Sequence, residues 1–227
     1  MIISHRHRFI FIKTRKTAGT SVEIALSRFC GEDDIVTHIS PQDEVVRSRL
    51  GYPGPQHTRL SPFRYTSADW VRLFTRLERA GFYNHIPARL IRERIGEEVW
   101  SSYFKFCFER NPWDKAISMY FWRTRRDDSR RPIAEFIAEQ AEQLSDFDLY
   151  TLDGRIAVDQ VGRFETLQAD LDEIARKLDL QGEIELPTTK SSARKEKRHY
   201  RDVLGPPERD RIAEVGAREI GEFGYCF

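Results

Sequence analysis

The turn after the first predicted strand combines residue types that bind anions. It spans 16–21, reads KTAGTS, and lies between the apolar run at 9–12 and a helical pattern that begins at Val22. Backbone N–H groups, hydroxyls and one ammonium at a helix N-terminus form a favourable site for a phosphate or sulfate group. Lys16 precedes Gly19, whereas the nucleotide triphosphatase motif GxxxxGK[ST] has its lysine after the glycine. We therefore predict an anion site of another type, with an ordinary strand-to-helix loop as the alternative.

A second charged turn follows the apolar run at 103–108. It contains Arg110, and Ser118 lies eight residues further on in the next predicted helix. Charge-assisted hydrogen bonds from a guanidinium to a phosphate contribute about 1.5 to 3 kcal/mol. We predict that Arg110 folds back toward Ser118 and that both hold one phosphate. In the alternative, Arg110 pairs with Glu109 or Asp114 and Ser118 is a surface hydroxyl.

Strand and helix patterns alternate around these two turns. Short aromatic or branched runs predict strands at 9–12 and at 103–108, and a third strand that ends at Phe164; Asp153-Gly154 predicts a hairpin. Helical spacing of apolar residues occurs at 22–29, 70–77, 87–95, 112–121, 132–144, 167–178 and 206–223. The alternation predicts an α/β fold with a central, mostly parallel sheet flanked by helices. Ligands of such folds bind at the carboxyl ends of the strands, where both charged turns fall.

Length and charge restrict the organisation of the chain and its partners. The 227 residues fit a single domain, with an irregular insertion or lid at about 32–67, where Pro and Gly are frequent. The net charge of +1 argues against a dedicated nucleic-acid or anionic-membrane binder, so any basic site must be local. No apolar run near the start is long enough to predict a membrane span.

Cysteine and histidine usage argues against metal and disulfide sites. Cys30, Cys107 and Cys226 are scattered and odd in number, which favours a reducing compartment and a cytoplasmic protein. No CxxC pair predicts a zinc site. The residues before the first predicted strand are expected to be mobile, with His5 and His7 solvated rather than bound to a metal.

Two segments resemble a known enzyme family. Residues 9–24, FIFIKTRKTAGTSVEI, resemble the 5′-phosphosulfate loop of sulfotransferases that use 3′-phosphoadenosine 5′-phosphosulfate. Residues 104–120, FKFCFERNPWDKAISMY, resemble the 3′-phosphate-binding segment of those enzymes. Residues 162–167 and 223–225 are similar to small bacterial members. The resemblance is to the carbohydrate-type group, to which the heparan 2-O-sulfotransferases are related.

This resemblance implies a fold, a reaction and a donor. The fold is the P-loop-NTPase-like three-layer arrangement, and the reaction transfers a sulfuryl group to a hydroxyl of a carbohydrate, glycolipid or small-metabolite acceptor without a metal. Lys16 would stabilise the charge that develops on the bridging oxygen. The implied donor-binding residues are Arg15, Lys16, Thr17, Ala18, Gly19, Thr20, Ser21, Arg110, Ser118, Ser191, Ser192 and Arg194. The last three belong to a basic stretch at 190–201 that corresponds to a loop closing over the 3′-phosphate in the family.

His85 is the implied second catalytic residue. The acceptor hydroxyl loses its proton as it attacks sulfur, and histidine is a suitable base. The segment 84–88, NHIPA, resembles the region that carries the catalytic histidine in carbohydrate sulfotransferases. His38, His57 or an acidic residue of the insertion are the alternatives for this base.

One position departs from the family pattern, and two other functions stay open. Arg15 stands where family members commonly have proline before the loop lysine, which removes a fixed φ and adds a charge. Golgi relatives carry a membrane anchor that this sequence does not show, which fits a bacterial, cytoplasmic protein. A non-catalytic module that binds adenosine bisphosphate is the first alternative function. A phosphotransferase is the second, although it needs Mg²⁺ and a differently placed lysine.

Overall fold

The computed structural model describes residues 1–126, 129–187 and 198–227. In these ranges the strands are β1 (Ile2–Ser4), β2 (Phe9–Phe11), β3 (Ile35–Val36), β4 (Phe104–Glu109), β5 (Thr151–Leu152), β6 (Arg155–Ile156) and β7 (Gln160–Arg163). The helices are α1 (Gly19–Ser27), α2 (Pro41–Arg49), α3 (Ser67–Arg76), α4 (Ala88–Ile95), α5 (Glu97–Ser102), α6 (Pro112–Arg123), α7 (Ile133–Gln140), α8 (Leu167–Lys177), α9 (Pro206–Val215) and α10 (Ala217–Phe223). None of these described helices has the length and apolar character that crossing a bilayer requires.

Five strands form the central sheet, in the order β3-β1-β2-β4-β7. Strand β4 pairs in parallel with β2 and with β7, whereas β1 pairs antiparallel with β2 and β3. The predicted α/β fold with a central sheet flanked by helices is confirmed. The sheet has fewer parallel strand pairs than predicted, because the short connection between β1 and β2 forces these two strands to pair antiparallel.

Helices cover both faces of this sheet. Phe9 and Phe11 of β2 point to one face and pack with residues of α1 and α8. Ile10 points to the other face and packs with residues of α4 and α5. This alternation is the period of two that a strand imposes on its side chains. The core is therefore divided between the two sides of the sheet, and the carboxyl edge of β2 and β4 is left for the two charged turns.

The N-terminal residues are ordered, so the prediction that they are mobile is wrong. Ile2 and Ile3 of β1 are fully buried, and the hydroxyl of Ser4 donates to Asp34 at 2.8 Å. His5 lies 2.8 Å from the hydroxyl of Tyr103 through its Nδ1. A strand of three residues is too short to show alternation, which is why the sequence pattern missed it.

The segment 32–67 contains more regular structure than the sequence predicts. It includes β3 and the nine-residue helix α2, and the hydroxyl of Ser40 accepts from the N–H of Asp43 at 3.3 Å. Ser40 followed by Pro41 is an ordinary helix-start signal, although α2 lacks the apolar stripe that the periodicity search requires.

The predicted hairpin at Asp153-Gly154 is confirmed. These two residues connect β5 to β6 and have φ angles of 50° and 74°. Positive φ at both positions is the geometry of a type I′ turn, for which Asp-Gly is a preferred sequence.

Candidate active site

A cavity of about 620 Å³ lies at the carboxyl ends of β2 and β4. Because these strands are adjacent and parallel, the turns that follow them meet at one edge of the sheet. Nine of the residues selected from the sequence line this cavity: Arg15, Lys16, Ala18, Gly19, Thr20, Ser21, His85, Arg110 and Ser118. The two turns and the histidine segment, which are far apart in the sequence, are thus brought to one site.

The cavity wall is strongly cationic. Lys13, Arg15, Lys16, Arg110 and Arg123 all line it. Among the described residues of the wall, none is aspartate or glutamate. A concave surface lined with one sign of charge raises the local concentration of ions of the opposite sign. The cavity is therefore suited to an anionic ligand.

The loop between β2 and α1 is tightly curled. Lys16 and Ala18 both have left-handed backbone conformations, with φ angles of 61° and 57°. A Cβ atom at Gly19 would lie 2.8 Å from Cγ of Lys13, so only glycine fits there without displacing the lysine. Ala18 is the N-cap of α1 and provides no side-chain cap. The first N–H groups of a helix have no acceptor within it, and here they face the cationic cavity.

Contacts with the second turn and with α6 position Lys16. Its backbone carbonyl accepts a hydrogen bond from Nη1 of Arg110 at 2.9 Å. Its ammonium lies 5.5 Å from the ring centroid of Trp122 on α6. A cation at this distance from an indole ring is attracted by the ring's quadrupole. The main chain of the lysine is thus fixed by the second turn, and its charge is directed toward the wall formed by α6.

Arg110 forms the alternative ion pair with Asp114, and it also lines the cavity. Its Nη2 and Nε donate to one carboxylate oxygen of Asp114 at 2.6 and 2.9 Å, and its guanidinium carbon lies 3.9 Å from the ring centroid of Phe164. The ion pair with Asp114 is therefore present, while the guanidinium also lines the cavity together with Ser118. Phosphate binding at Arg110 would take place beside a carboxylate that already orients the side chain.

Thr17 differs from its neighbours because it does not line the cavity. It is 1% exposed, and its hydroxyl lies 2.9 Å from the hydroxyl of Thr14. The Thr14 hydroxyl in turn donates to the carbonyl of Phe108 at the end of β4. The Thr17 side chain therefore supports the loop from within.

His85 is held as a neutral ring with a defined tautomer. Its Nδ1 lies 2.9 Å from the carbonyl oxygen of Lys13, and because a carbonyl only accepts, Nδ1 must carry the proton. Nε2 is then the basic nitrogen. Burial, together with the positive charges of Lys13 and Arg15, lowers the pKa of His85 to about 4, although the bond to Lys13 and the charge of Asp146 act in the opposite direction.

The two other histidines considered as the base do not line the cavity. The ring of His57 bonds to the carbonyl of Glu32 at 2.8 Å. His38 is exposed, and its carbonyl accepts from the side chain of Asn84. Among the described residues of the wall, His85 is the one histidine.

Asp146 stabilises the first turn, and no sequence pattern pointed to this residue. Its carboxylate accepts from the backbone N–H of Arg15 at 2.5 Å and from the Arg15 guanidinium at 2.6 Å. It also pairs with the buried ammonium of Lys115 at 2.9 Å. These contacts span 131 positions between residues 15 and 146, so no local pattern could reveal them.

Lys115 joins Asp146 to Glu109, the last residue of β4. Its ammonium lies 2.8 Å from Glu109, which also accepts from the N–H of Arg110 at 3.0 Å. Burial acts to lower the pKa of Lys115, but the carboxylates of Asp146 and Glu109 outweigh it and raise the pKa. Burial raises the pKa of Glu109 to about 7 against the lowering effect of Lys115. The ends of both turns are thus connected through one buried ionic network.

A second buried contact ties the first turn to the histidine segment. The ammonium of Lys13 donates to Glu23 at 2.7 Å and to the side-chain oxygen of Asn84 at 3.1 Å. Asn84 directly precedes His85, so this contact and the bond from His85 to the Lys13 carbonyl fix the same two segments. Neither Lys13 nor Asn84 was predicted to be part of the site.

Helix α6 contributes further residues to the cavity wall, and their spacing from the predicted Ser118 is helical. Ser118 was predicted to face the ligand, and Met119, Trp122 and Arg123 line the cavity beside it. Trp122 follows Ser118 by four positions and therefore shares its helix face.

Two points from the sequence remain, namely three residues of the predicted donor site and the question of a metal site. Ser191, Ser192 and Arg194 lie outside the described residues. Within 1–126, 129–187 and 198–227, no group of three or more His, Cys, Asp or Glu side chains is arranged to hold a metal ion.

Comparisons with known proteins identify the family. A family model described as "Sulfotransferase family" matches residues 1–225. An uncharacterized protein of Archaeoglobus fulgidus is 32% identical over 106 residues, which are 44% of this chain and 88% of that protein. No solved structure gives a significant match. Because the family model covers nearly the whole chain, this protein belongs to the sulfotransferase family.

Proposed function

We propose that the protein transfers a sulfuryl group from 3′-phosphoadenosine 5′-phosphosulfate to a hydroxyl of a carbohydrate, glycolipid or small-metabolite acceptor. The observation that carries this proposal is the cavity of about 620 Å³ with five cationic side chains on its wall at the N-terminus of α1. The donor is a nucleotide with three anionic groups, and the volume is in the usual range for a small-molecule site of about 300 to 1,000 Å³. The residues present therefore fit the donor in both charge and size.

Two parts of the wall would hold the two ends of the donor. Lys16, Ala18, Gly19, Thr20 and Ser21, together with the first N–H groups of α1, would hold the 5′-phosphosulfate. Arg110 and Ser118 would hold the 3′-phosphate, and Arg15 would contribute charge at the edge of the loop. Ser191, Ser192 and Arg194 remain proposed contacts to the 3′-phosphate, on the resemblance alone. For Thr17 the proposed contact is restricted to its backbone.

The reaction then requires a base and an electrostatic stabiliser. As the acceptor oxygen bonds to sulfur, Nε2 of His85 would take the hydroxyl proton, and the bond from sulfur to the bridging oxygen would break. Lys16 would stabilise the negative charge that remains on that oxygen. His85 suits its role because Nδ1 is already bonded to the Lys13 carbonyl, which leaves Nε2 as the acceptor.

The low pKa of His85 has a direct consequence for this mechanism. A base with a pKa of about 4 is fully neutral at pH 7 but binds a proton weakly. Anionic groups placed in the cavity would raise the pKa, since they oppose the positive charges of Lys13 and Arg15. Occupation of the site is therefore expected to strengthen the base in the complex that reacts.

Other parts of the proposal concern the acceptor, the metal requirement and the compartment. Ile39 and Ser40 line the cavity, so we assign the segment 32–67 to the acceptor side of a single domain.

Lys16 and Arg110 would supply the positive field that a metal ion could otherwise provide, so we expect activity to persist in the presence of a chelator. All three cysteines are free, with Cys226 exposed, which supports a reducing compartment such as the cytoplasm.

Thermal unfolding with adenosine 3′,5′-bisphosphate tests the donor site. At 100 times its dissociation constant a ligand stabilises the folded state by about 2.7 kcal/mol. We expect a clear rise in Tm with the bisphosphate and a smaller rise with adenosine 5′-phosphate at the same concentration. Equal shifts with the two nucleotides would contradict the 3′-phosphate assignment, and no shift with either would overturn the donor.

Transfer of radiolabelled sulfate to a panel of sugars, glycolipids and small hydroxyl compounds tests the reaction. We expect labelled product with at least one acceptor class, both with and without a chelator. Donor binding without transfer to any acceptor would favour the alternative of a non-catalytic bisphosphate-binding module.

A further inference from the structure

Helix α3 and the residues just before it expose an unusual amount of apolar side chain. We call the following five side chains the α3 surface: Phe63 (100% exposed), Leu77 (86%), Phe74 (77%), Val71 (59%) and Trp70 (39%). Soluble proteins expose single apolar side chains often, but a contiguous group of this kind marks an interaction site.

Polar contacts fix the start of α3 while the α3 surface stays exposed to solvent. Thr66 and Asp69 form a capping box at its start, and Asp69 is the one residue of α3 that is buried. Asp69 also lies 3.6 Å from the guanidinium of Arg94 on α4. These polar contacts hold the start of the helix away from the centre of its apolar face. Most of the apolar side chains of α3 therefore remain exposed.

The apolar face is continuous. Trp70, Phe74 and Leu77 follow one another at spacings of four and three residues, which places them on one side of a helix. The rings of Trp70 and Phe74 are stacked, with centroids 5.8 Å apart, and Tyr65 packs against Trp70 at 5.3 Å. Aromatic rings of this type are favoured where a protein meets the headgroup region of a bilayer.

Strong positive charge accompanies this surface. Arg72 and Arg76 share the polar face of α3, and the arginines of the flanking segment, Arg59, Arg64 and Arg79, are also exposed. Glu78 is the one exposed acidic residue between positions 59 and 79. The whole chain has a net charge of only +1, but exposed arginines are concentrated around α3. This agrees with the expectation that any basic site is local.

We propose that the α3 surface docks on an anionic lipid bilayer. An amphipathic helix with aromatic and aliphatic residues on one face and arginine on the other binds in the plane of such a membrane, through apolar burial and attraction to anionic lipids. Ten residues of helix extend over about 15 Å, half of the hydrocarbon thickness of about 30 Å, so α3 lies on the membrane and does not cross it.

Two other occupants of the α3 surface, a second copy of the chain and a nucleic acid, are less favourable than a bilayer. A second copy docked symmetrically through this surface would place the same arginines near one another, and like charges across an interface are costly. A nucleic acid would satisfy the arginines, but it offers no apolar environment to Val71 and Leu77. An anionic bilayer satisfies both the charge and the apolar side chains. The proposal does not depend on the sulfotransferase reaction and is tested by membrane binding alone.

The test is co-sedimentation of the full chain with vesicles. Wild-type protein is expected to bind vesicles of phosphatidylcholine with 30% phosphatidylglycerol and to bind pure phosphatidylcholine vesicles far less. The double variant Arg72→Gln/Arg76→Gln is expected to bind the anionic vesicles about thirtyfold more weakly, given the usual contribution of each arginine near an anionic surface. The double variant Trp70→Ser/Phe74→Ser is expected to lose binding. The arginine variant should keep the wild-type Tm, since both of its substituted side chains are exposed. Trp70 is 39% exposed and contacts Tyr65, so circular dichroism must show that Trp70→Ser/Phe74→Ser is folded, and Phe74→Ser alone, at a side chain that is 77% exposed, should also weaken binding while keeping the wild-type Tm.

Matched variants elsewhere on the surface serve as controls. Arg176→Gln/Lys177→Gln on α8 removes two exposed charges, and Val45→Ser/Leu50→Ser at α2 removes two exposed apolar side chains; both are expected to bind vesicles like the wild type. Failure of the wild type to bind anionic vesicles would overturn the proposal. It would also be overturned by a dimer that dissociates in Trp70→Ser/Phe74→Ser, or by binding of single-stranded oligonucleotides in preference to vesicles.

Discussion

The two charged turns at the cavity are organised differently. In the turn after β2, Lys16 carries its ammonium toward the wall formed by α6, 5.5 Å from the ring of Trp122. In the turn after β4, Arg110 is oriented by the carboxylate of Asp114 and by the ring of Phe164. The first turn is curled through left-handed residues, whereas the second leads directly into α6 through the Asn111 cap.

This difference indicates a division of roles. The second turn supports the first, because Arg110 donates to the carbonyl of Lys16. Asp146 also stabilises the first turn, because its carboxylate accepts hydrogen bonds from the backbone N–H and the guanidinium of Arg15. We infer that Lys16 acts on the reacting group, that Arg110 acts mainly in binding, and that Asp146 maintains the loop. Substitutions in the two turns should therefore affect different measured quantities.

The largest effect is expected for Lys16→Ala. Loss of a group that stabilises charge in the transition state lowers kcat by about 10² to 10³-fold. Donor binding should weaken much less, since the backbone N–H groups of α1 remain. Sulfate-transfer kinetics and calorimetric titration with adenosine 3′,5′-bisphosphate separate the two quantities. Lys177→Ala, which removes an exposed lysine on α8, is the control and should leave both unchanged. A kcat for Lys16→Ala within threefold of wild type would exclude the proposed role.

His85→Gln is expected to lower kcat by about 10²-fold, at the lower end of what a general base contributes. The proposed base role requires neutral His85, so wild-type activity should fall as pH falls through the pKa of this residue. For kcat/KM of the donor, which reports the free enzyme, the fall is expected near pH 4. For kcat it should occur at higher pH, because the bound anions raise the pKa.

The acid limb of the pH profile distinguishes a base from a structural histidine. It should disappear in His85→Gln if the residue accepts the proton. An acid limb that is unchanged in this variant would assign the base to another residue. Since low pH can also unfold the protein, circular dichroism at each pH must accompany the rate measurements.

Sequence patterns predicted the parts of the site that are local in the chain. Each charged turn directly follows a strand, so the placement of Lys16 and Arg110 at one edge of the sheet followed from the alternation of strands and helices. The hairpin at 153–154 was equally local. The Asp114 partner of Arg110 was foreseen as an alternative, because a separation of four residues on a helix brings two side chains together.

Long-range polar contacts could not be predicted in this way. Asp146 contacts Arg15 and Lys115 through the fold, and Lys13 reaches Asn84 across 71 positions. No periodicity identifies which buried carboxylate will meet which ammonium, because the pairing depends on how the elements pack. Lys13 and Lys115 therefore had no predicted role, although both connect segments of the site. Thr17 was included in the donor site on the family resemblance, whereas the burial of its side chain depends on how the loop packs.

Arg110→Ala tests the binding role of the second turn. It should weaken binding of adenosine 3′,5′-bisphosphate by tens of fold, since a charge-assisted contact to phosphate contributes about 1.5 to 3 kcal/mol. Binding of adenosine 5′-phosphate, which lacks the 3′-phosphate, should change by less than about threefold. Arg176→Ala on α8 is the charge-matched control. Equal weakening for both nucleotides would mean that Arg110 acts through its bond to the Lys16 carbonyl and not on the 3′-phosphate.

Arg15→Pro is expected to have the smallest effect, and it tests how Asp146 holds the first turn. Proline restores the residue common in the family but removes the N–H that donates to Asp146 at 2.5 Å. The buried carboxylate then loses one partner from the backbone and one from the side chain, which should reduce the free energy of unfolding by about 1 to 3 kcal/mol. Arg15→Ala keeps the N–H and loses only a partly exposed ion pair, so its cost should be below about 1 kcal/mol. Urea denaturation of the two variants measures the difference. If Arg15→Pro is as stable as Arg15→Ala, the backbone bond does not stabilise the turn, and the loop would be held by its contacts with Arg110 and Phe108 instead.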